Sequence, residues 1–425
     1  MVGKARYIKG LQVNILFIHQ NFPGQFKFLA PKLAELGHNI FALAIKHNEK
    51  LENINLISYD TNRGTTANIH PWVSDFETKV IRADACFRAA LKLKADGFSP
   101  EIIISHHGWG ESLFLKDVWP QAKLGIYCEF YYQPHGADVG FDPEFPSEDE
   151  GEVCRLQLKN LNNLLHFEKA DAAISPTYWQ ASTFPDYFRN KISIIHDGID
   201  TNVVCPNASA TLSLKDTDNS IINLKKSDEI VTFVNRNLEP YRGYHIFMRS
   251  LPELLRKRPN ARILIVGGDG VSYGAKPKNE QKWKDIFINE IRPKLKDSEW
   301  KRVHFLGVIP YEVFISLLQI STAHVYLTYP FILSWSLLEA MSAGCSIIAS
   351  DTQPLQEAIE HNVTGRLVPF FDSKVITKEI CSLLDNPEMR HQLGTKARKF
   401  VIDNYDLKTV TLPRQVDWVL SLRES

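Results

Sequence analysis

Short apolar runs alternate along the chain with longer stretches whose apolar residues recur every three or four positions. The first run, VNILFI (13–18), has the length of a buried strand and ends at HQNFPGQ. In FKFLAPKLAEL, Phe26, Leu29, Leu33 and Leu36 fall on one helix face, and Gly37 stands where a helix C-cap belongs. NIFALAI follows as the next strand. Strand, glycine turn, helix, strand is a βαβ unit, and such units build parallel sheets. EIIIS, AKLGIYCEFYY, AAISPT and KISIIHDGID continue the series. A polar stretch, 207–229, then reads as a linker or surface insertion. A second series begins at EIVTFVNR and runs through the helix YHIFMRSLPELLRKR to the strands ARILIVGG and VHFLG. It continues with the helix YEVFISLLQIS, the strand AHVYLTYP, a short helix in SWSLLEAMSAG, and the strands CSIIASD and GRLVPF. The tail from 385 to 425 is helical in pattern, with Trp418 and Leu420 on its apolar face. The expected architecture is α/β, with two domains and a cleft beyond the carboxyl ends of parallel strands, where ligands bind.

Composition narrows the function classes. The 425 residues suffice for two or three domains, and 44% apolar with 23% charged residues is ordinary for a globular protein. Lys+Arg and Asp+Glu both number 49, so no global charge draws the chain to nucleic acid. The six cysteines (86, 128, 154, 205, 345, 381) contain no C-x-x-C pair, which argues for reduced thiols in a cytosol and against a zinc site or disulfide frame. No apolar run reaches the ~20 residues of a membrane span. The start, MVGKARYIKGLQ, is basic but lacks the apolar core of a secretory signal. Sequons at Asn207 and Asn362 carry meaning only in a secreted chain.

Several stretches carry candidate chemistry. In FVNRNLEPYRG, Arg236 and Arg242 flank a strand-to-helix junction, where two guanidinium groups can converge on a phosphate; the alternative is two solvated loop charges. Gly24 in PGQF sits at the first strand–helix turn, where a missing Cβ lets backbone approach a phosphate or sugar. VGGDGVSYG tempts toward a dinucleotide fingerprint, but Tyr273 stands at the third glycine position, and that reading is rejected. SHHGWGE places His106 and His107 directly after a strand, suited to a sugar hydroxyl or proton transfer, or to a structural role. EFYYQPHGADVGFDPEFP (129–146) offers aromatic faces to a sugar ring, or packs as a loop. The acids of DTD (216–218) lie in the polar stretch and read as solvated surface. Glu339 is the sole charge in LLEAMSAG; surrounded by apolar positions, it needs water, a partner or a ligand.

In their order and spacing these pieces resemble the retaining glycosyltransferases of family 4, which have the GT-B fold of two Rossmann-like domains. The resemblance rests on the Gly24 loop, His106, IIHDGID, Arg236 with Arg242 (where the family commonly has Arg and Lys), VHFLGVIP and LLEAMSAG. It covers most of the chain. The segments 129–146 and HHGWGESLFLKDVWP look like a bacterial envelope or exopolysaccharide subgroup, including cyanobacterial-type UDP-glucose users. One departure stands out: the family's E-x7-E element should have its first Glu eight residues before Glu339, where this chain has Phe331.

The resemblance implies an N-terminal acceptor-side domain (1–205), on which a helix at about 405–425 packs back, and a nucleotide-sugar domain (206–404). It implies transfer of a hexose, glucose from UDP-glucose first, to a sugar or lipid-linked acceptor, with the anomeric configuration kept. His106, Arg236 and Arg242 are the implied catalytic groups. The implied donor contacts are Gly24, Arg236, Arg242, Ile309, Leu333, Ser334, Trp335, Ser336 and Glu339. Glu339 would hold the ribose diol, and the backbone N–H groups of Ser334–Ser336 would face the pyrophosphate. With no carboxylate at 331, backbone groups of Leu333–Trp335 or His106 would read the sugar. No metal, cofactor or nucleic acid is implied. The expected location is cytoplasmic, with peripheral membrane contact through FRAALKLKADGF (87–98) or, alternatively, a solvated helix face there. A GT-B UDP-sugar epimerase and a non-catalytic nucleotide-sugar-binding protein are the rival readings.

Overall fold

The apolar runs become the strands of two parallel sheets. The computed structural model describes residues 12–47, 51–147, 149–215 and 220–424. Two compact units result: the described residues up to Gly198 with those from Leu407 on, and Ile199–Asp406. In the first, β1 (Asn14–Ile18), β2 (Asn39–Ala44), β3 (Ile54–Ser58), β4 (Ile102–Ser105), β5 (Lys123–Tyr127), β6 (Ala172–Ser175) and β7 (Ile192–Ile194) form a seven-stranded sheet. Its order is β3-β2-β1-β4-β5-β6-β7, with β1 pairing in parallel with both β2 and β4. The order reverses at β1, the topology of a doubly wound sheet whose carboxyl edge opens a ligand crevice.

Strands covered on both faces need apolar residues at successive positions, which is why NILFI is continuous and not alternating. Ile15 and Phe17 face one core, Leu16 and Ile18 the other. The helix Pro71–Ala95 covers the second face with Cys86, Ala90 and Leu93. The helix Leu29–Glu35 covers the first with Leu29 and Leu33, joined by Val416, Trp418 and Val419 of the C-terminal helix Leu412–Ser421. In helix Pro71–Ala95 two of the three basic side chains in the segment expected at a lipid surface, Arg88 and Lys94, have partners within the unit. Arg88 pairs with Asp84 at 3.0 Å, and Lys94 donates to the Val118 carbonyl at 2.6 Å. Among the described residues no helix is long and apolar enough to cross a membrane.

The second unit begins with a correction. The polar stretch 207–229 is not a simple linker: β8 (Thr211–Lys215) and β9 (Ile221–Lys225) form an antiparallel hairpin. Its Leu212 and Leu224 are buried in the same core as Phe314 and Leu317. Alternation with period two hides such a strand among polar residues, since only every second side chain is apolar. DTD (216–218) and residues 1–11 lie outside the described residues. The main sheet of this unit has six parallel strands: β10 (Ile230–Asn237), β11 (Arg262–Gly268), β12 (Val303–Gly307), β13 (Ala323–Tyr326), β14 (Ile347–Ser350) and β15 (Arg366–Val368). Their order is β12-β11-β10-β13-β14-β15, again reversing beside the first strand.

One close approach ties the C-terminal helix to the first sheet. A Cβ on Gly125 would meet Trp418 Cη2 at 2.8 Å, Ile104 Cδ1 at 2.9 Å and Leu422 Cδ1 at 3.0 Å. Gly125→Ala is therefore predicted to lower stability by about 1–3 kcal/mol, the usual cost of overpacking. Urea denaturation measures this, and an unchanged midpoint would show that the helix shifts aside freely.

Candidate functional site

Beyond the carboxyl end of β10 the chain turns sharply through Pro240–Arg242 into the helix Tyr244–Lys257. The turn needs Gly243 twice over: its φ is +67°, and a Cβ would lie 2.3 Å from Leu327 Cβ. This turn delivers Arg242 into the unit's interior. Its Nη1 donates to Tyr326 Oη (3.1 Å), Thr328 Oγ1 (2.8 Å) and the Ile332 carbonyl (3.2 Å). Cζ lies 5.0 Å from the centre of the Tyr273 ring. Burial works against the charge, but Tyr326, Tyr273 and Glu239 outweigh it and keep the group protonated. Arg242 is thus no solvated loop charge. Arg236, by contrast, is exposed at the end of β10, and no contact joins it to Arg242.

The buried Glu239 beside this turn was not singled out by the sequence. Its Oε1 accepts from the Ser272 N–H at 3.1 Å, and its Oε2 from the N–H groups of Tyr273 (3.3 Å) and Gly274 (3.2 Å). Asn237 adds bonds to Ser272 Oγ and from Gly270 N–H. The loop rejected as a dinucleotide fingerprint is thereby pinned over Arg242. Phe331 is buried where the resemblance calls for a carboxylate. It packs edge-on against Tyr241 (5.4 Å) and Tyr273 (5.2 Å), so that corner is aromatic.

The helix Trp335–Ser342 starts at the N-cap Ser334. Two amides expected to face a pyrophosphate are engaged within the protein. Ser334 N–H donates to Tyr326 Oη, and Ser336 N–H donates to Ser334 Oγ, both at 3.3 Å. A serine N-cap satisfies an orphan helix donor in this way. One turn on, Glu339 accepts a 2.7 Å bond from the Tyr311 hydroxyl through Oε1. Its partner is neither an arginine nor any second group, and Oε2 has no partner among the described residues. Burial pushes the Glu339 pKa up, and the Tyr311 bond pulls it back. Ile309 packs against the core two residues before Tyr311, Leu333 is buried, and the Trp335 side chain is exposed.

In the first unit, Gly24 (φ +48°) lies against His19: a Cβ would fall 2.3 Å from His19 Nε2. That ring bonds Gln25 Oε1 at 2.8 Å through Nε2 and accepts from Asn21 N–H through Nδ1. His106 follows β4 and is stacked between Tyr127 (5.1 Å) and Trp109 (5.9 Å), with His19 edge-on at 5.3 Å. Neither of its ring nitrogens has a hydrogen-bond partner, and Glu129 Oε2 is 3.9 Å from Nε2. His107 differs: its nitrogens contact the Tyr127 carbonyl (3.0 Å) and Asn163 Oδ1 (2.7 Å). The neighbouring pair therefore divides into one satisfied structural histidine and one with unused hydrogen-bonding capacity. Tyr127 Oη also donates to Asp197 of IIHDGID at 3.0 Å, linking that motif to the His106 stack.

Two parallel-sheet α/β units of this topology define the GT-B fold. Solved structures carry the same architecture: sucrose-phosphate synthase from Thermosynechococcus elongatus matches with a TM-score of 0.70 over 97% of this chain and 100% of that one, at 19% identity. HepE from Anabaena, in complex with UDP-glucose, matches with a TM-score of 0.68 over 96% and 100%, at 15% identity. Residues 36–204 match the model described as glycosyl transferase family 4 group, and residues 215–400 match glycosyl transferases group 1. Taken together, these matches cover most of the chain: one glycosyltransferase family model falls mainly on each unit. A curated relative, D-inositol 3-phosphate glycosyltransferase from Corynebacterium efficiens, is 25% identical over 71% of this chain and 67% of its own length. The chain spans about two thirds, or slightly less, of the first curated relatives it matches.

Burial holds His19, His106 and His166 below the ordinary imidazole value, and brings His107 and His324 to about 4 and His196 to about 3. These rings are neutral when folded, while the unfolded chain binds protons below ~6.5. Stability present above that value is lost as pH falls toward 4. Glu111 has the opposite sign: burial raises it to about 7, so protonation favours the folded state on acidification. Six histidines outnumber it, even with Glu339 added. The predicted net effect is a lower urea midpoint at pH 5.5 than at pH 7.5, with each histidine contributing at most about 1.4 kcal/mol per pH unit. A constant or rising midpoint would contradict this balance.

Proposed function

We propose that this chain is a retaining hexosyltransferase that takes glucose from UDP-glucose and gives it to a hydroxyl of a sugar or lipid-linked acceptor in polysaccharide assembly. The observation that carries the reading is Glu339, a half-buried carboxylate with one oxygen held by Tyr311 and the other without a partner among the described residues, beyond the carboxyl ends of a parallel sheet. A ribose diol supplies the hydroxyl donors such a group lacks. The neighbour HepE, solved with UDP-glucose, and the inositol-phosphate name of the curated relative support a nucleotide-sugar donor and a hydroxyl acceptor.

In this reaction the bond between the sugar's anomeric carbon and the diphosphate oxygen breaks. A bond from the same carbon to the acceptor oxygen forms on the same face, and the acceptor's proton passes to the leaving diphosphate. Arg236 and the remaining edge of Arg242 stabilise the growing charge, a task that here uses no metal. His106, neutral through burial, offers one N–H to a sugar hydroxyl. Gly24 keeps backbone close to the reacting sugar. Backbone groups at Leu333–Trp335 take over the hydroxyl reading that Phe331 cannot perform, with Ile309 bordering the nucleotide.

Incubating the full chain with labelled UDP-, GDP- and ADP-sugars and sugar or lipid-linked acceptors tests the reading. Transfer from UDP-glucose with UDP release is expected. Epimerised free sugar without acceptor would identify an epimerase, and binding without turnover a binding protein. Glu339→Gln and Arg236→Ala are each expected to weaken UDP binding by about 1.5–3 kcal/mol in calorimetry while the fold persists. If Glu339→Gln instead lowers the melting temperature and leaves UDP affinity intact, Glu339 serves only Tyr311. His106→Ala should reduce turnover far more than UDP affinity, and equal losses would remove His106 from the sugar.

A further inference from the structure

We propose that the second unit carries an anion pocket at the amino ends of its strands, built to hold a phosphate group on a small organic molecule. The pocket, of about 440 Å³, opens beside Thr322 and Ser346, the residues immediately before β13 and β14. It therefore lies at the opposite sheet edge from Arg242 and Ser334, and it does not depend on the proposed transfer reaction. Its volume falls in the range of small-molecule sites.

Four basic side chains, Lys226, Arg390, His391 and Arg398, line it, and no acidic residue does. The Lys226, Arg390 and Arg398 side chains are held in place by backbone carbonyls. Arg398 donates to the carbonyls of Ser342 (2.6 Å) and Thr201 (3.1 Å). Arg390 Nη1 donates to the carbonyls of Leu383 (2.5 Å) and Leu384 (2.8 Å), and the Lys226 ammonium donates to the Ser321 carbonyl. Neutral carbonyls orient a cation while leaving its net charge intact. Of the acids near this face, Asp385 lies 2.6 Å from Arg258, while Glu229 lies 3.9 Å from Arg258 and also acts on Arg390 through its charge. Burial lowers the Lys226 pKa; Cys345 opposes that fall, and nearby Arg390 adds to it. Three like charges with no acid among the lining residues favour a bound anion.

Phosphate fits the donors. The Lys226 ammonium retains N–H groups beyond its one bond, and the Arg390 guanidinium keeps a second edge with Nη1 occupied. Apolar surface from Ala343, Gly344 and Pro387 leaves room for an uncharged organic portion. Because Ala343 and Gly344 end the helix that carries Glu339, the pocket's wall is continuous with that helix.

Calorimetry on the full chain at fixed ionic strength tests this, with glucose 6-phosphate, inorganic phosphate and glucose as probes. Saturable binding of glucose 6-phosphate is expected, weaker binding of phosphate, and none of glucose. The double variant Lys226→Gln/His391→Gln should weaken glucose 6-phosphate at least about 10-fold, with the chain folded and UDP affinity unchanged. No saturable heat from either phosphate probe up to roughly 10 mM would overturn the proposal, as would equal affinity in the double variant. Phosphate binding tighter than glucose 6-phosphate would assign the pocket to the free ion and overturn its organic half.

Discussion

The buried guanidinium of Arg242 holds the second unit's carboxyl edge together. Through Nη1 alone it ties the end of β13, at Tyr326 and Thr328, to the Ile332 carbonyl in the approach to the helix Trp335–Ser342. Tyr326 Oη then accepts from Ser334 N–H, so one cation, one hydroxyl and one helix cap form a continuous series. Gly243 lets the turn that delivers Arg242 pass Leu327. The Arg242 Nη1 bonds all go to neutral oxygens, and the nearby Glu239 carboxylate supports its charge without a bond among the described residues. Arg390 and Arg398 are held by carbonyls in the same manner at the other edge of the sheet. The same device thus holds buried or half-buried guanidinium groups by neutral oxygens at both ends of one set of parallel strands.

Two buried glutamates and one half-buried one show how differently a fold can treat one group. Glu239 accepts three backbone N–H bonds, enough to offset loss of water, and it becomes a clamp for the loop 270–274. Glu339 has one hydroxyl partner and an unpartnered oxygen, which is incomplete unless a ligand completes it. Glu111 has no partner at either oxygen, and burial raises its pKa to about 7. Proton uptake is the cheapest remedy for a carboxylate in that position. The degree of satisfaction, more than burial, separates a structural acid from a binding one.

Much of this was legible in the sequence, and the exceptions have physical causes. Continuous apolar runs announced the parallel strands because both faces of such strands are covered. The hairpin of β8 and β9 escaped because only Leu212, Leu214, Ile222 and Leu224 carry its pattern among polar neighbours. At the site, the sequence isolated Arg242 and Glu339 but not their partners. Tyr326, Thr328 and Tyr311 are separated from them by tens of residues, and only the sheet brings them together. Glu239 was hidden for another reason: its partners are backbone amides, which leave no trace in residue identity. Helix-cap serines were visible at 334 and 336, but local capping occupies amides that a ligand-centred reading had assigned to phosphate.

The division of labour between His106 and His107 follows from the same reasoning. Adjacent residues leaving a strand point to different surroundings, and here His107 meets a carbonyl and an amide while His106 meets aromatic faces. Aromatic stacking fixes the His106 ring but satisfies neither nitrogen. Burial, with His19 and His107 close by, disfavours the imidazolium. A ring so constrained cannot donate as a strong acid near neutral pH. Under the proposed reaction it serves by hydrogen bonding, which agrees with a route in which the departing diphosphate takes the acceptor's proton and histidine need not titrate.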